Sequence, residues 1–261
     1  MNRRLLLGAG GIIIIGLVVI AFGLRENGWF RSYFQKSEIS KDAVLRTPEV
    51  EEAKIEEETP QYKIDVSYPQ FHNLGDPNRE AAANNLIKEK IEKSTAAFRD
   101  AIREATDTFS TTKSELLVSY KVVNLNSSIA SILVSEYTYV EGAVHPLGLS
   151  SPFNYNFRDN REISLADPFN PGSNYLSVLS DISRASLKRQ LKESYIQESV
   201  EFGTEPRPEN FSVFFLDKDK FVVVFNVYQV IGYAAGSQTV EIPYEQLSGI
   251  LRQEWLELIR Q

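Results

Sequence analysis

The longest unbroken run of apolar positions begins at Leu5 and ends at Leu24. Twenty helical residues at ~1.5 Å each cover about 30 Å, the thickness of the hydrocarbon core of a bilayer. The run therefore predicts a membrane-spanning helix within residues 1–36, with the rest of the chain extracytoplasmic. The alternative is a cleaved secretory signal with its cleavage site near Ala21. We favour the retained anchor because the run is longer than the apolar part of such signals.

Beyond residue 60 the hydrophobic pattern becomes that of a folded protein. Alternate positions are apolar up to Pro69, which predicts a half-buried strand: Tyr62, Ile64, Val66 and Tyr68. Asp76 as a cap and Pro77 at the first helical position then predict the start of an amphipathic helix. Its apolar stripe recurs at helical spacing: Ile87, Ile91, Phe98, Ile102, Ala105 and Phe109.

The remaining pattern predicts further strands and two more helices. Residues 115–123 and 129–140 form a predicted hairpin around a turn at 124–128. The later predicted strands and helices are strands 153–157, 162–165, 211–216, 221–227 and 238–242, and helices 174–192 and 244–259. Both faces of 221–227 are apolar, so this strand is expected to be central. The sequence thus predicts an α+β fold, an antiparallel sheet with two to three packed helices.

Composition narrows the possible functions. The chain has no cysteine, so it can form neither a disulfide nor a thiolate metal site. Residues 37–60 are polar and acidic, which predicts a stalk, helical around Glu49 to Glu58. After Lys36 there are 34 acidic and 23 basic residues, a balance that disfavours sequence-independent binding of nucleic acid. No cofactor is predicted.

Two histidines are the candidate titratable groups, and His145 has the more suggestive surroundings. Tyr137, Tyr139 and Glu141 precede it closely, so aromatic rings, a carboxylate and an imidazole meet at the end of a predicted strand. This combination indicates either a ligand-recognition surface or a turn in which His145 binds a backbone carbonyl, and the residues alone do not separate the two. His72, in a loop after Pro69, is a weaker candidate.

Motifs for catalysis are missing from the sequence. There is no Gly-x-Ser-x-Gly elbow, no P-loop and no helical zinc motif. Asp159 could pair with Asp167 as in a glycosidase, but acidic residues beside turns are usually solvated or capping. We therefore predict a non-catalytic protein without a metal site. Asp159 remains a candidate ligand-binding residue.

Three later motifs carry a resemblance to a known family: Phe225-Asn-Val-Tyr228, Gly232-Tyr-Ala-Ala-Gly236 and Val240-Glu-Ile-Pro-Tyr244. With the segments 141–146 and 154–169 they resemble the RsiV-like C-terminal domain, found in lysozyme-binding anti-sigma factors. Residues 61–150 are similar to the small domain that precedes PdaC-type peptidoglycan deacetylases. The resemblance implies two α+β domains, 61–150 and 151–261. Within the glycine-rich loop we favour a structural role, with Tyr228 and Tyr233 packed on the sheet.

The resemblance implies a module of the bacterial cell envelope that binds a lysozyme-like protein or a cell-wall glycan. The deacetylase domain itself is not expected in this chain. Four residues before the apolar run are too few to hold a sigma factor, so signalling is not expected either. The alternatives are a peptidoglycan-modifying hydrolase that uses Asp159, Asp167 or His145, and an envelope scaffold protein.

Overall fold

A computed structural model describes residues 47–104 and 112–261, and Arg46–Gln261 form one compact unit. The predicted membrane helix lies outside the described residues, as do Ala105 and Phe109. None of the helices within the described ranges is long and apolar enough to cross a bilayer. The described residues have the predicted mixed α+β composition.

The first sheet has six strands in the order β1-β2-β3-β4-β5-β6. Its strands are β1 (Glu49–Glu58), β2 (Tyr62–His72), β3 (Ser114–Leu125), β4 (Ile129–Tyr139), β5 (Leu147–Asn156) and β6 (Arg161–Glu162). Neighbours are antiparallel except β2 and β3, which are parallel. The wholly antiparallel sheet predicted from the sequence is therefore wrong at this pair. A long helix joins the two strands, and parallel neighbours need such a crossover connection.

Helix α1 (Pro77–Glu104) is the predicted amphipathic helix. Its start is confirmed, since Asp76 Oδ1 accepts a hydrogen bond from the amide of Asn78 at 2.9 Å. The described part of the apolar stripe is buried and packs against one face of the sheet: Ile87, Ile91, Phe98 and Ile102. Strand β2 does not end at Pro69 as predicted but continues to His72. A proline is tolerated there because β3 pairs with β2 only as far as Val66, so β3 needs no backbone N–H donor from residue 69.

The acidic segment 49–58 is a strand, so the prediction of a helical stalk there is wrong. Strand β1 pairs with β2 along its whole length, from Glu49 opposite His72 to Glu58 opposite Lys63. Ala53 and Ile55 pack against the core. The glutamates of β1 are tolerated because β1 is an edge strand. Charged side chains on an edge strand hinder its pairing with other chains.

The second sheet has three strands in the order β7-β8-β9: β7 (Phe214–Leu216), β8 (Lys220–Phe225) and β9 (Gln238–Pro243). The predicted central position of the apolar strand, β8, is confirmed. Three further helices lie in this part of the chain: α2 (Tyr175–Leu191), α3 (Gln197–Gly203) and α4 (Gln253–Arg260). The predicted closing helix is shorter than expected, because Tyr244–Leu247 is a separate 3-10 turn and Leu251 bridges to Phe169.

The two sheets are joined through a small apolar cluster. Phe215, Val222 and Val224 of the second sheet pack against Val123 and Leu133 of the first. Strand β5 runs through residue 150 without interruption. The domain division predicted at that position stays a prediction.

Candidate functional site

His145, in the loop between β4 and β5, contacts two tyrosines that lie more than eighty residues further along the chain. Its imidazole stacks on the ring of Tyr233, with centroids 3.9 Å apart and planes at 23°. Its Nε2 lies 2.8 Å from the hydroxyl of Tyr228. We call His145, Tyr228 and Tyr233 the His145 cluster.

The hydrogen bonds of the cluster assign the imidazole protons. His145 Nδ1 lies 3.0 Å from the carbonyl oxygen of Pro146, which can only accept, so Nδ1 carries a proton. In the neutral ring Nε2 then accepts from the hydroxyl of Tyr228. The hydroxyl of Tyr233 donates to the same Pro146 oxygen at 2.8 Å. The predicted alternative, in which His145 binds a backbone carbonyl in a turn, is thus present together with the aromatic contacts.

The backbone on either side of Tyr228 holds its ring in place. Tyr228 has a φ of 68°, in the left-handed region that is unusual for a residue with a side chain. Asn226 is bonded to Ser150 of β5. Gln229 Nε2 donates to the carbonyl oxygens of Gly203 and Asn210, at 3.1 and 2.9 Å. These contacts fix both flanks, so the strained conformation is imposed by the surrounding structure.

Tyr228 does not pack on the sheet as predicted, because 58% of its surface is exposed. Val144, next to His145, is 98% exposed. The ring and hydroxyl of Tyr228 and the apolar side chain of Val144 are therefore presented to solvent. Such a surface can stack against a ring and form hydrogen bonds with a ligand.

The other candidates close to His145 in sequence lie at the end of β4 or, for Glu141, in the turn just after it. Tyr137 is opposite Gly148, and 38% of its surface is exposed. Tyr139 pairs with Glu115, and the amide of Glu141 donates to Ser114 Oγ at 2.9 Å. Within the described ranges, the ring contacts of His145 are with Tyr228 and Tyr233 rather than with these tyrosines.

Asp159 lies in a different place, the turn after β5. Its Oδ2 accepts a hydrogen bond from Asn156 Nδ2 at 3.0 Å. Arg161 lies between Asp159 and Asp167, 3.8 Å from the first carboxylate and 2.7 Å from the second. Burial raises the pKa of Asp167, but hydrogen bonds from Arg161 and Ser164 outweigh it and hold this pKa below its ordinary value. An arginine-bound pair of this kind is poorly suited to the glycosidase role considered above, since the acid must stay protonated.

The sequence indicated His145 as a candidate ligand-binding residue. For its two partners, Tyr228 and Tyr233, it favoured a structural role in the packing of the sheet. The available signal was the pair of tyrosines in a glycine-containing loop, which is also the pattern of a buried turn. In residues 47–104 and 112–261, no group of three or more His, Cys, Asp and Glu side chains is arranged to hold a metal ion.

Two family models match adjacent parts of the chain. The family model described as deacetylase PdaC matches residues 55–148. The family model described as protein of unknown function (DUF3298) matches residues 166–245. These matches support the PdaC-like part of the resemblance. The RsiV-like assignment stays a prediction.

A curated relative can be aligned with most of this chain. The peptidoglycan-N-acetylmuramic acid deacetylase PdaC of Bacillus subtilis (strain 168) is 28% identical over 243 residues. The alignment covers 92% of this chain and 50% of that protein. The chain therefore spans about half the length of this relative. The match supports the prediction that this chain is a protein of the cell envelope.

The same match contradicts the prediction that this chain is not an enzyme, because the relative is named as a deacetylase and the PdaC model matches as well. The prediction was wrong because it rested on missing local motifs, whereas catalytic groups can come from distant positions in a chain.

Two solved structures share the fold. A DUF3298 family member from Bacteroides fragilis has a TM-score of 0.61 at 18% identity, covering 82% of this chain and 97% of its own. A DUF3298 family protein from Pseudomonas aeruginosa PAO1 has a TM-score of 0.57 at 14% identity, covering 79% and 94%. At such identities the likeness concerns the fold alone.

Proposed function

We propose that this chain acts on peptidoglycan in the cell envelope, as a deacetylase or as part of one, and that the His145 cluster holds the glycan. The observation that carries the proposal is the stacked pair of His145 and Tyr233 beside the exposed ring of Tyr228. The similarity to a peptidoglycan deacetylase supports the choice of substrate.

The cluster has the chemistry that a sugar ring requires. A pyranose has apolar C–H faces and an edge of hydroxyl and amide groups. The ring face of Tyr228 can cover the apolar side. The hydroxyl of Tyr228 donates its proton to His145, so its oxygen can accept a hydrogen bond from an amide N–H or a hydroxyl of the sugar. Because Tyr228 is held by its backbone before any ligand arrives, little ordering entropy is lost on binding.

The site is extracytoplasmic under this proposal. The apolar run from Leu5 to Leu24 would attach the chain to the membrane and leave the His145 cluster on the side of the cell wall. A lysozyme-like protein partner stays a prediction from the sequence.

Acetate release tests the proposed activity directly. Water would break the amide C–N bond of an N-acetyl sugar and leave acetate and a free amine. We expect the full chain, purified in detergent, to release acetate from purified peptidoglycan. Absence of both acetate release and sedimentation with insoluble peptidoglycan would refute the proposal.

Two variants test the location of the site. Tyr233→Ala removes the ring under His145, and Tyr228→Phe removes only a hydroxyl. We expect both to weaken binding to peptidoglycan, Tyr233→Ala by about two- to tenfold, since one aromatic contact contributes about 0.5–1.5 kcal/mol beyond its buried area. Tyr195→Phe, on a part-exposed tyrosine outside the cluster, is the matched control and should bind like the wild type. Equal binding by all four proteins would place the glycan elsewhere.

A further inference from the structure

A cleft of about 500 Å³ lies beside β5. Its lining comes from three segments: Pro152 and Asn154 of β5, residues 162–165 beyond β6, and residues 208–214 leading into β7. Strand β6 pairs with β5 only at Tyr155 and Asn156. The cleft therefore occupies the place where a longer edge strand would otherwise lie.

The backbone of β5 at this edge is already closed to a further strand. Asn226 binds both the amide and the carbonyl of Ser150. Pro152 has no amide proton, and the carbonyl of Asn154 accepts a hydrogen bond from Ile163 at 2.9 Å. A peptide could not add as a strand here. A ligand of the cleft must instead contact side chains.

Those side chains combine an apolar floor with a polar rim. Buried or part-buried Pro152, Leu165 and Phe214 form the floor. Exposed side chains of the rim carry hydroxyl or carboxylate groups: Glu162, Ser164, Glu209 and Ser212. Apolar faces bordered by hydrogen-bonding groups suit a sugar ring, and the cavity is large enough for one.

The charge of the rim argues against a densely anionic ligand such as a polymer of phosphodiesters. Glu162 forms an ion pair with Lys90 at 2.9 Å. Glu209, from another segment of the lining, is exposed. Carboxylates accept hydrogen bonds from hydroxyl groups or bind an amine, but they repel a polymer of phosphodiesters.

The position of the cleft relates it to the His145 cluster. His145 lies three residues before Gly148, at the start of β5, and the cleft borders Pro152 and Asn154. From Gly148 to Asn154 the strand extends six residues, about 20 Å at ~3.4 Å per residue. That span is several sugar rings long. A linear glycan that follows the strand could reach both places.

We propose that this cleft is a second subsite for the same glycan strand, which takes sugars several units away from those at the His145 cluster. The inference rests on the proposed function. It adds that the ligand is a linear sugar polymer, which the protein contacts along a length of several rings.

Binding as a function of glycan length tests the inference. Fragments of two and of six sugars, prepared from peptidoglycan, are titrated into the full chain in detergent. We expect the six-sugar fragment to bind at least about tenfold more tightly than the two-sugar fragment, because one chain that occupies two subsites gains from both.

Ser212→Trp fills the cleft from its exposed rim without altering the core. It should reduce the affinity for six sugars to the level for two, and leave the two-sugar affinity unchanged. Glu209→Trp is a second, independent obstruction with the same expected result. Ser194→Trp, at an exposed serine in another 3-10 turn, is the control and should keep the length dependence.

The outcomes separate the two proposals. Equal affinity for both fragments, or a length dependence that survives both cleft variants, overturns the second subsite while the His145 cluster stands. Binding of polyphosphate in the cleft in place of the glycan also overturns it. Failure of the wild type to bind either fragment overturns the second subsite and the proposed glycan site together.

Discussion

The side-chain amide of Asn226 takes the place of a strand beside Ser150. Asn226 Oδ1 accepts a hydrogen bond from the amide of Ser150 at 2.8 Å, and its Nδ2 donates to the carbonyl of the same residue at 2.9 Å. This is the exchange that a hydrogen-bonded pair of antiparallel residues makes. It closes the edge of β5 and fixes the loop that presents Tyr228.

Replacement of Asn226 should therefore affect both stability and the site. Asn226→Ala leaves two polar groups of β5 without their partner, and we expect the free energy of unfolding to fall by about 1–3 kcal/mol. Glycan binding should weaken as well, because Tyr228 loses one of its supports. Urea unfolding and a binding titration measure the two effects. Asn85→Ala, at an exposed position of α1, should change neither; a similar loss in both variants would contradict the explanation.

Gly203 is required by a close approach of two backbone segments. A Cβ at this position would lie 2.0 Å from the carbonyl oxygen of Gln229. Gly203→Ala should therefore lower the free energy of unfolding by about 1–3 kcal/mol, the usual cost of overpacking. A Cβ at Gly249 meets no atom within 4 Å, so Gly249→Ala is the matched control and should be nearly neutral. Thermal unfolding of the two variants gives the comparison, and equal melting temperatures would show that the backbone contact yields easily.

The attachment of β1 to α1 should depend on pH. Hydrogen bonds from Tyr62 and then from Arg99 hold the pKa of Glu57 below its ordinary value. A carboxylate with a lowered pKa stabilises the folded state above its unfolded pKa of about 4.3, and this contribution is lost as the pH falls through the folded pKa. The difference in unfolding free energy between the wild type and Glu57→Gln should thus be largest near pH 6 and shrink below about pH 4.

Urea titrations at several pH values measure that difference. Glu56→Gln, on the neighbouring exposed position of β1, is the control for the loss of a charge alone. A difference between the wild type and Glu57→Gln that stays constant from pH 6 to pH 3 would rule out the ion pair as its source.

The hairpin turn between β3 and β4 caps the last turn of α4. Asn126 Nδ2 donates to the carbonyl oxygens of Leu258 and Ile259, at 3.0 and 3.2 Å. Helix ends leave such carbonyls without partners inside the helix. Asn126→Ala should lower the free energy of unfolding by about 1–3 kcal/mol and speed amide exchange in both the hairpin and α4. Ser127→Ala, at the exposed neighbour, should have little effect. Faster exchange confined to the hairpin would argue against a cap that couples the two regions.

Local patterns of the sequence were sufficient for much of the fold. The spacing of Ile87, Ile91 and Phe98 predicted α1, and the cap at Asp76 predicted its start. The apolar run at 221–227 predicted a central strand. These features depend on the repeat of side-chain directions along a helix or strand and on neighbours a few residues away. They can therefore be predicted from short stretches of sequence.

The acidic strand β1 shows where such patterns fail. Its composition resembles a disordered stalk, yet Ala53 and Ile55 reach the core and the backbone pairs fully with β2. The gain comes from hydrogen bonds to a partner strand, and composition does not reveal whether a partner is present. The parallel pairing of β2 and β3 escaped prediction for the same reason.

By itself, the sequence determined the α+β composition, the start of α1, the buried strand β8 and the choice of His145 as a candidate. Only the tertiary structure decided which residues meet His145. Tyr228 and Tyr233 come from a loop more than eighty residues away, and they reach the imidazole because Asn226 and Gln229 bind β5 and α3 across the fold. Periodicity reports which face of an element is apolar. It does not show which distant loops are brought together when the two sheets pack.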